Sequence, residues 1–426
     1  MGDERTIGDR VLSPETLMLG YGYDPALSEG AVKPPVFLTS TFVFGSAEEG
    51  RDFFDVVAGR KPTPSGRAGL VYSRFNHPNA EIVEDRLAIF EAGETALAFS
   101  SGMAAITTAI LATARPGDVV LHSQPLYGGT ETLLARTLGN LGIQAHGFAD
   151  GGDADAIEAA AREAAGAGRL SLILIETPSN PLNTLVDIAA VRAVAERIGA
   201  ETGLRPLVIC DNTMLSPVFQ QPLRHGADLV VASLTKYIGG HSDLIGGAVI
   251  GSKILLQPIR LLRSAIGTQL DAHSCWMTGR SLETLGVRVR AAAANAEAVV
   301  RAMDRHPAVT AVHALGTGRG DATTQRIYDT QCTGPGSTFA IEISGGRDEA
   351  FQVMNRLKLF RLAVSLGGTE SLACHPASTT HSGVPQAVRD AIGVSEALIR
   401  LSIGLEDAGD LIADLEQALA VLPRGK

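Results

Sequence analysis

"VVASLTKYIGGHSDLIGG", Val230 to Gly247, places one lysine, Lys236, close behind an apolar run and follows it with glycines, a histidine and a serine. The run has the composition of a buried strand, and glycines beside it let a backbone come close to a ligand. Outward from this stretch, between about residues 95 and 250, short apolar runs alternate with helical patterns: "TALAFSS", "DVVLHS", "IQAHGF", "LSLILIET", "LVICDN", "DLVVAS" and "GGAVIGS". Such alternation predicts a mostly parallel sheet with helices on both faces. Ligands of open parallel sheets sit in the crevice at the carboxyl ends of the strands, so the residues that follow each run are the candidates for chemistry.

Those residues are Ser100-Ser101-Gly102-Met103 after "TALAF", Glu176-Thr177-Pro178-Ser179-Asn180 after "LILI", Asp211-Asn212 after "LVIC", and Ser233-Leu234-Thr235-Lys236 after "LVVA". Singly, each has a structural explanation: serine and aspartate cap helices, and a lone lysine is usually solvated. Their convergence on one rim favours function. A lysine forms a Schiff base with an aldehyde, and pyridoxal phosphate also wants a carboxylate at its pyridinium nitrogen. Asp211 suits that nitrogen, while Gly102, Met103, Ser233 and Thr235 suit a phosphate at a helix start.

Composition narrows the field. The 426 residues carry a formal charge of -10 and no basic stripe, which gives nucleic-acid binding no electrostatic basis. Four scattered cysteines, Cys210, Cys275, Cys332 and Cys374, suggest neither a disulfide framework nor a thiolate metal site, and a reducing, cytoplasmic setting is expected. The charged start "MGDERTIGDR" lacks an apolar segment, and no stretch approaches membrane-spanning length. His241, His375 and His381 have no carboxylate at ligand spacing, so no metal site is expected. The glycines of "LGTGRGDA" do not open a helix after a strand, which leaves the dinucleotide fingerprint unmet, and Trp276 is expected to be packing.

Three segments are expected: an irregular arm over 1–78 with an exposed loop at "GRKPTPSGRAG", a large α/β/α domain over 79–270, and a smaller α/β domain over 271–426. The last of these ends in a helix with Leu411, Leu415, Leu419 and Leu422 at core-facing spacing. "DADAIEAAAREAAGAGR" is expected to be a surface helix.

These residues resemble the Cys/Met metabolism, or transsulfuration, enzymes that depend on pyridoxal phosphate. "SLTKYIGGHSD" is similar to the family's lysine signature, and "YSRFNHPN", "SSGMAAI", "QPLYGGT", "ETPSNPL", "CDNTMLSP", "SLGGTESLACHPASTTHS" and "LIRLSIGLED" resemble its other motifs in order. The resemblance implies the fold type I (aspartate aminotransferase-like) architecture. It implies that Lys236 bonds the cofactor's aldehyde and shuttles protons, Asp211 pairs with the pyridinium, Asn180 meets the phenolic oxygen, and Tyr127 stacks on the ring and serves as an acid-base group. Ser101 would join the phosphate donors. Arg400, with Asn180, Val364 and Ser365 nearby, would fork the substrate carboxylate. Tyr72 and Arg74 would reach the phosphate of a neighbouring subunit in a homotetramer.

The resemblance also narrows the reaction to the γ-carbon of an amino acid. Enzymes that handle cystathionine usually carry Glu just before "SLGG", where this chain has Val364, and methionine γ-lyases usually carry Cys where it has Gly129. This points to γ-replacement on an O-acylhomoserine by a thiol or sulfide, with γ-elimination from methionine or cystathionine as the alternative and an aminotransferase as a remote one. "SLGGTES" stands closer to the cystathionine enzymes. His77 replaces the family's usual Asn, and the stretch "FFDVVAGRKPTPSGRAG" is expected to be a long loop near the neighbour's site that alters substrate choice.

Overall fold

The computed structural model describes residues 5–62, 69–318 and 320–422. Seven strands form the large sheet: β1 (Thr95–Phe99), β2 (Asp118–Ser123), β3 (Gln144–Phe148), β4 (Arg169–Glu176), β5 (Leu207–Asp211), β6 (Leu229–Ser233) and β7 (Gly247–Gly251), in the order β1-β7-β6-β5-β4-β2-β3. β2 pairs parallel with β3 and β4, and β4 with β5, whereas β1 and β7 are antiparallel. β2 is buried throughout and β4 everywhere except Arg169, the pattern of strands covered on both faces. The register of β4 against β5 sets Glu176 beside Asp211, so two carboxylates end neighbouring strands side by side.

The chain divides into two compact units. One comprises Met1–Ala112, Val231–Thr235 and Leu244–Thr284, the other Thr113–Val230, Lys236–Asp243 and Leu285–Lys426.

In the first unit, helix α1 (Ala47–Val57) is capped by the Ser46 hydroxyl, which accepts from Glu49 N at 3.1 Å. This corrects the expected irregular stretch: "FFDVV" is helical, and Ser46 with Glu48 and Glu49 in the first turn is the start signal that marks it. The rest of the proposed loop is exposed at residues 60–62, and its residues 63–68 lie outside the described residues. Helix α2 (Pro78–Phe90) begins with proline at its first turn, and His77 caps it, Nδ1 accepting from Ala80 N at 3.1 Å. His77 is buried, with Nε2 3.1 Å from the Leu270 carbonyl. It is therefore a structural cap, its ring committed to the helix start and the Leu270 carbonyl. Helix α3 (Gly102–Thr113) follows β1.

In the second unit, α4 (Ala154–Ala167) and α5 (Ile188–Thr202) bury Ile157, Ala161, Val191 and Val194 against Val119, Ile173 and Val208 of the strands. Asp153 caps α4 and Gly168 ends it, as its sequence predicts. In the first unit, α6 (Lys253–Ile266) and α7 (Ala272–Leu282) follow β7. In the second, α8 (Leu285–Met303) leads to a five-stranded sheet of β8 (Val309–His313), β9 (Thr338–Ile343), β10 (Arg361–Leu362), β11 (Leu372–Cys374) and β12 (Leu398–Ser402), ordered β8-β9-β12-β11-β10. Ile399, Leu401 and Ile403 pack with Phe339 and Ile341 against α8 and α9 (Ala408–Leu419), where Leu411, Leu415 and Leu419 are buried at the predicted spacing and Leu422 joins them. Strand alternation then turns Leu398, Arg400 and Ser402 to the opposite face. All four cysteines are buried and free, and no described helix is long and apolar enough to cross a membrane.

Candidate active site

Lys236 lies in a π-type turn, Leu234–Ile238, with φ -89 and ψ -128, a backbone conformation outside the helical and extended regions. Arg288 holds the turn from behind, donating Nη1 to the Tyr237 carbonyl at 2.9 Å and Nη2 to that of Ile238 at 3.2 Å. Lys236 Nζ donates to Ser365 Oγ at 3.0 Å. Burial, reinforced by the Arg400 charge, brings the amine pKa down to about 8, so about a tenth of it is neutral at pH 7, against well under a hundredth for an ordinary lysine.

Arg400 is 2% exposed and pairs with no carboxylate among the described residues. Its Nη1 donates to Asn180 Oδ1 at 3.1 Å, and Nη2 donates to the carbonyls of Val364 at 2.7 Å and Ser365 at 3.0 Å. Nε is buried with no partner among the described residues. Val364 itself is 55% exposed, so an apolar, uncharged side chain stands beside the arginine.

Glu176 links Tyr127 to Asn180, accepting from Tyr127 N at 2.7 Å and Asn180 N at 2.8 Å. Burial and the adjacent Asp211 charge push its pKa up to about 8, and burial raises Asp211 as well, opposed by hydrogen bonds from Thr213, whose N donates at 2.9 Å. The pair holds a proton near neutral pH, which spares the interior a double negative charge. Tyr127 is 41% exposed. A Cβ at Gly129 would lie 2.6 Å from Tyr127 Cε1, so glycine there lets the ring rest against the backbone. His381, buried nearby with Nδ1 2.9 Å from Thr380 Oγ1, is held neutral, its pKa brought to about 4 chiefly by burial.

In the first unit, Ser101 Oγ accepts from Ala104 N at 3.0 Å, which leaves the Gly102 and Met103 amides at the start of α3 ahead of the helix's own bonds. A Cβ on Gly102 would come within 3.0 Å of Ser233 Cβ, and one on Gly247 within 2.2 Å of the Ser101 carbonyl. Glycine at both positions is what permits this close packing. The Thr235 hydroxyl accepts from Gly246 N at 3.0 Å. Tyr72 is exposed, and Arg74 donates Nη1 to the Ser264 carbonyl at 2.6 Å, with its guanidinium 4.6 Å from the Phe75 ring centroid.

Residues 15–420 match the family model described as Cys/Met metabolism PLP-dependent enzyme. The chain belongs to this family. It is 40% identical over 406 residues to the L-methionine gamma-lyase of Pseudomonas putida, covering 95% of this chain and 96% of that one. It is 37% identical over 420 residues to the cystathionine gamma-synthase of Mycobacterium bovis, covering 98% and 100%. Among solved structures, the cystathionine gamma synthase of Xanthomonas oryzae pv. oryzae superposes with a TM-score of 0.85 at 33% identity, over 96% of this chain and 98% of that one. The protein is thus a pyridoxal-phosphate-dependent enzyme of Cys/Met metabolism with the type I α/β fold.

The residues present suit that cofactor: a partly buried amine with a lowered pKa, a partly buried carboxylate at a strand end, and first-turn amides beside glycine and hydroxyl groups. Sequence reasoning named Glu176 only as a strand-end residue, and Arg288 and the role of His381 escaped it. The pairing of Glu176 with Asp211 depends on register, which no local pattern displays.

Proposed function

We propose that this enzyme carries out γ-replacement on an O-acylated homoserine, a thiol or sulfide taking the place of the acyl oxygen. The supporting observation is the pairing of Arg400, a buried cation without a carboxylate, with the uncharged and exposed Val364 beside it. The first suits a substrate α-carboxylate, and the second gives the far end of the substrate no anion to meet. A side chain ending in an ester or thioether fits that environment better than cystathionine's distal ammonium.

Bound pyridoxal phosphate supplies an aldehyde for the substrate amine and a ring that accepts electrons when Cα loses its proton. Under this reading Lys236, Asp211, Asn180 and Tyr127 hold the ring, and Ser101, Gly102, Met103, Ser233 and Thr235 hold the phosphate. Lys236 Nζ, with its pKa near 8, takes the proton from Cα and returns it, while Ser365 Oγ keeps the amine aimed. Asp211 keeps its charge toward the ring nitrogen as Glu176 retains the shared proton. A carboxylate that docks on the Nε and Nη2 edge of Arg400 takes over a hydrogen now given to a carbonyl of Val364 or Ser365. Substrate binding is thereby felt in the loop that orients Lys236.

The exposed apolar side chains of the arm, among them Val43 at 95% and Leu38 at 79%, support self-association as a tetramer in which Tyr72 and Arg74 serve a neighbouring subunit. A 1–78 arm, a 79–270 cofactor domain and a 271–426 domain remain the functional division proposed here. A second reading, γ-elimination from methionine, is favoured by the 40% identity to the P. putida enzyme.

Product identity separates the two. Purified holoenzyme is given O-acetylhomoserine, O-succinylhomoserine or methionine, with and without methanethiol. A new thioether from an acylhomoserine supports replacement; 2-oxobutanoate from methionine, indifferent to added thiol, sinks it in favour of the lyase.

A further inference from the structure

The first unit contains a cavity of about 230 Å³ lined by α2, α7 and the Lys33-Pro34 segment. Its walls are largely hydrocarbon, from Ile82, Val83 and Trp276, yet Arg86 borders it at 1% exposure. Arg86 donates Nε to the Tyr21 carbonyl at 3.1 Å and Nη1 to that of Gly279 at 3.4 Å, and Nη1 lies 3.8 Å from Glu283. Nη2 is buried with no partner among the described residues. An arginine stays charged, and a buried charged donor left without an acceptor is costly.

Arg280 is exposed, and Asn79, Trp276 and Lys33 at the cavity are committed elsewhere. Asn79 accepts from Phe37 N and donates to the Pro35 carbonyl, Trp276 Nε1 donates to the Pro34 carbonyl at 3.0 Å, and Lys33 pairs with Glu283 at 2.6 Å. Arg86, Arg280 and Lys33 against Glu283 leave the lining positive. With a share of about 30 Å³ per water-sized group, the space suits about seven such groups, the size of a four- or five-carbon acid.

We propose that this cavity binds a short-chain monocarboxylate, the Arg86 guanidinium shifting to bring Nη2 onto the carboxylate, with the apolar tail against Ile82, Val83 and Trp276. The site is separate from the residues assigned to the cofactor and substrate above, and it needs no particular choice between replacement and elimination.

Trp276 is the only tryptophan in the chain, so its emission reports on the cavity directly. The holoenzyme is titrated with sodium butyrate, and with butylamine hydrochloride and sodium chloride as controls, at constant ionic strength. A saturable emission change with butyrate alone is expected, retained in Arg400→Met and weakened at least tenfold in Arg86→Gln. Gly279→Ala supplies a second variant: its methyl would sit 3.5 Å from Val83 Cγ2 and 3.9 Å from Arg86 Nη1, an ordinary contact that shrinks the cavity without forcing the helix apart, and severalfold weaker binding is expected. Four results overturn the proposal: no saturable change, equal affinity in Gly279→Ala and Arg86→Gln, loss of the signal in Arg400→Met, or the same response to chloride.

Discussion

Two buried arginines, Arg263 in the first unit and Arg400 in the second, are each 2% exposed, yet their surroundings differ. Arg263 donates Nη1 to Glu84 Oε1 at 2.6 Å and to the Ala98 carbonyl at 2.7 Å. Burial alone would raise the Glu84 carboxyl, but the Arg263 and Arg260 charges outweigh it and hold the group below its usual range. That cation is matched within the chain. Among the described residues Arg400 meets only neutral oxygens; Nε of both arginines is buried without a partner, so the carboxylate is what distinguishes them. A buried charge with its partner built in ties helix to sheet, whereas one without a partner is suited to an anion that arrives with a ligand.

The largest effect is expected where the site loses its reacting amine. Lys236→Ala should abolish the yellow absorption of the holoenzyme and lower kcat by about 10²–10⁴-fold or more, while thermal stability changes little; a variant that stays yellow and active would remove Lys236 from the chemistry. Next, the two arginines should fail in different ways. Arg400→Met is expected to cut kcat/KM about 10²–10³-fold with the fold intact, and Arg263→Met to cost about 3–5 kcal/mol of stability with KM nearly unchanged in the folded fraction. Thermal melts and steady-state kinetics on both variants would dissolve the contrast if the two phenotypes proved alike.

A smaller, pH-dependent effect should appear at Glu176. Its folded pKa, about 8, lies above its unfolded value, so its contribution to stability is complete below pH 4.5 and is lost as pH rises through about 8. The apoprotein melting temperature should therefore fall across that window, and Glu176→Gln should flatten the slope. An unchanged slope in the variant argues against a shared proton. At Gly129, a cysteine would push the Tyr127 ring off its present place. Gly129→Cys is expected to shift the ratio of elimination to replacement by severalfold, read from 2-oxobutanoate against thioether, with little change in stability. The smallest change is His77→Asn, which keeps a capping side chain and should cost under about 1 kcal/mol, measured by denaturant unfolding.

The sequence carried the strand-end residues well, because continuous apolar runs mark buried parallel strands and their last residues face the ligand crevice. Lys236, Asp211 and Asn180 were legible for that reason. Arg400 was legible only through the family resemblance: nothing in "LIRLSIG" itself says which face of the strand meets the helices, and the packing of Ile399, Leu401 and Ile403 against α8 and α9 turns it the other way. Glu176 gains its meaning from the register with Asp211, and Arg288 from reaching the turn at Tyr237 across 51 residues of chain. His77 drew attention as an unusual residue, yet its ring is spent on a helix start and the Leu270 carbonyl. Helix α1 is hard to see in the sequence because its two adjacent phenylalanines and its glycine obscure the periodicity, although Ser46 and Glu49 spell out its start.

The most direct test of the Arg400 assignment changes the ligand together with the protein. Apparent affinities of L-methionine and of 3-(methylthio)propylamine, which lacks only the α-carboxylate, are measured from the cofactor absorbance change in the holoenzyme and in Arg400→Met. The account predicts that the parent enzyme prefers methionine by about 10²-fold and that the variant loses nearly all of this preference. If Arg400→Met discriminates as strongly as the parent, the substrate carboxylate is held elsewhere, and the arginine at the centre of the small sheet, paired among the described residues only with neutral oxygens, has another purpose.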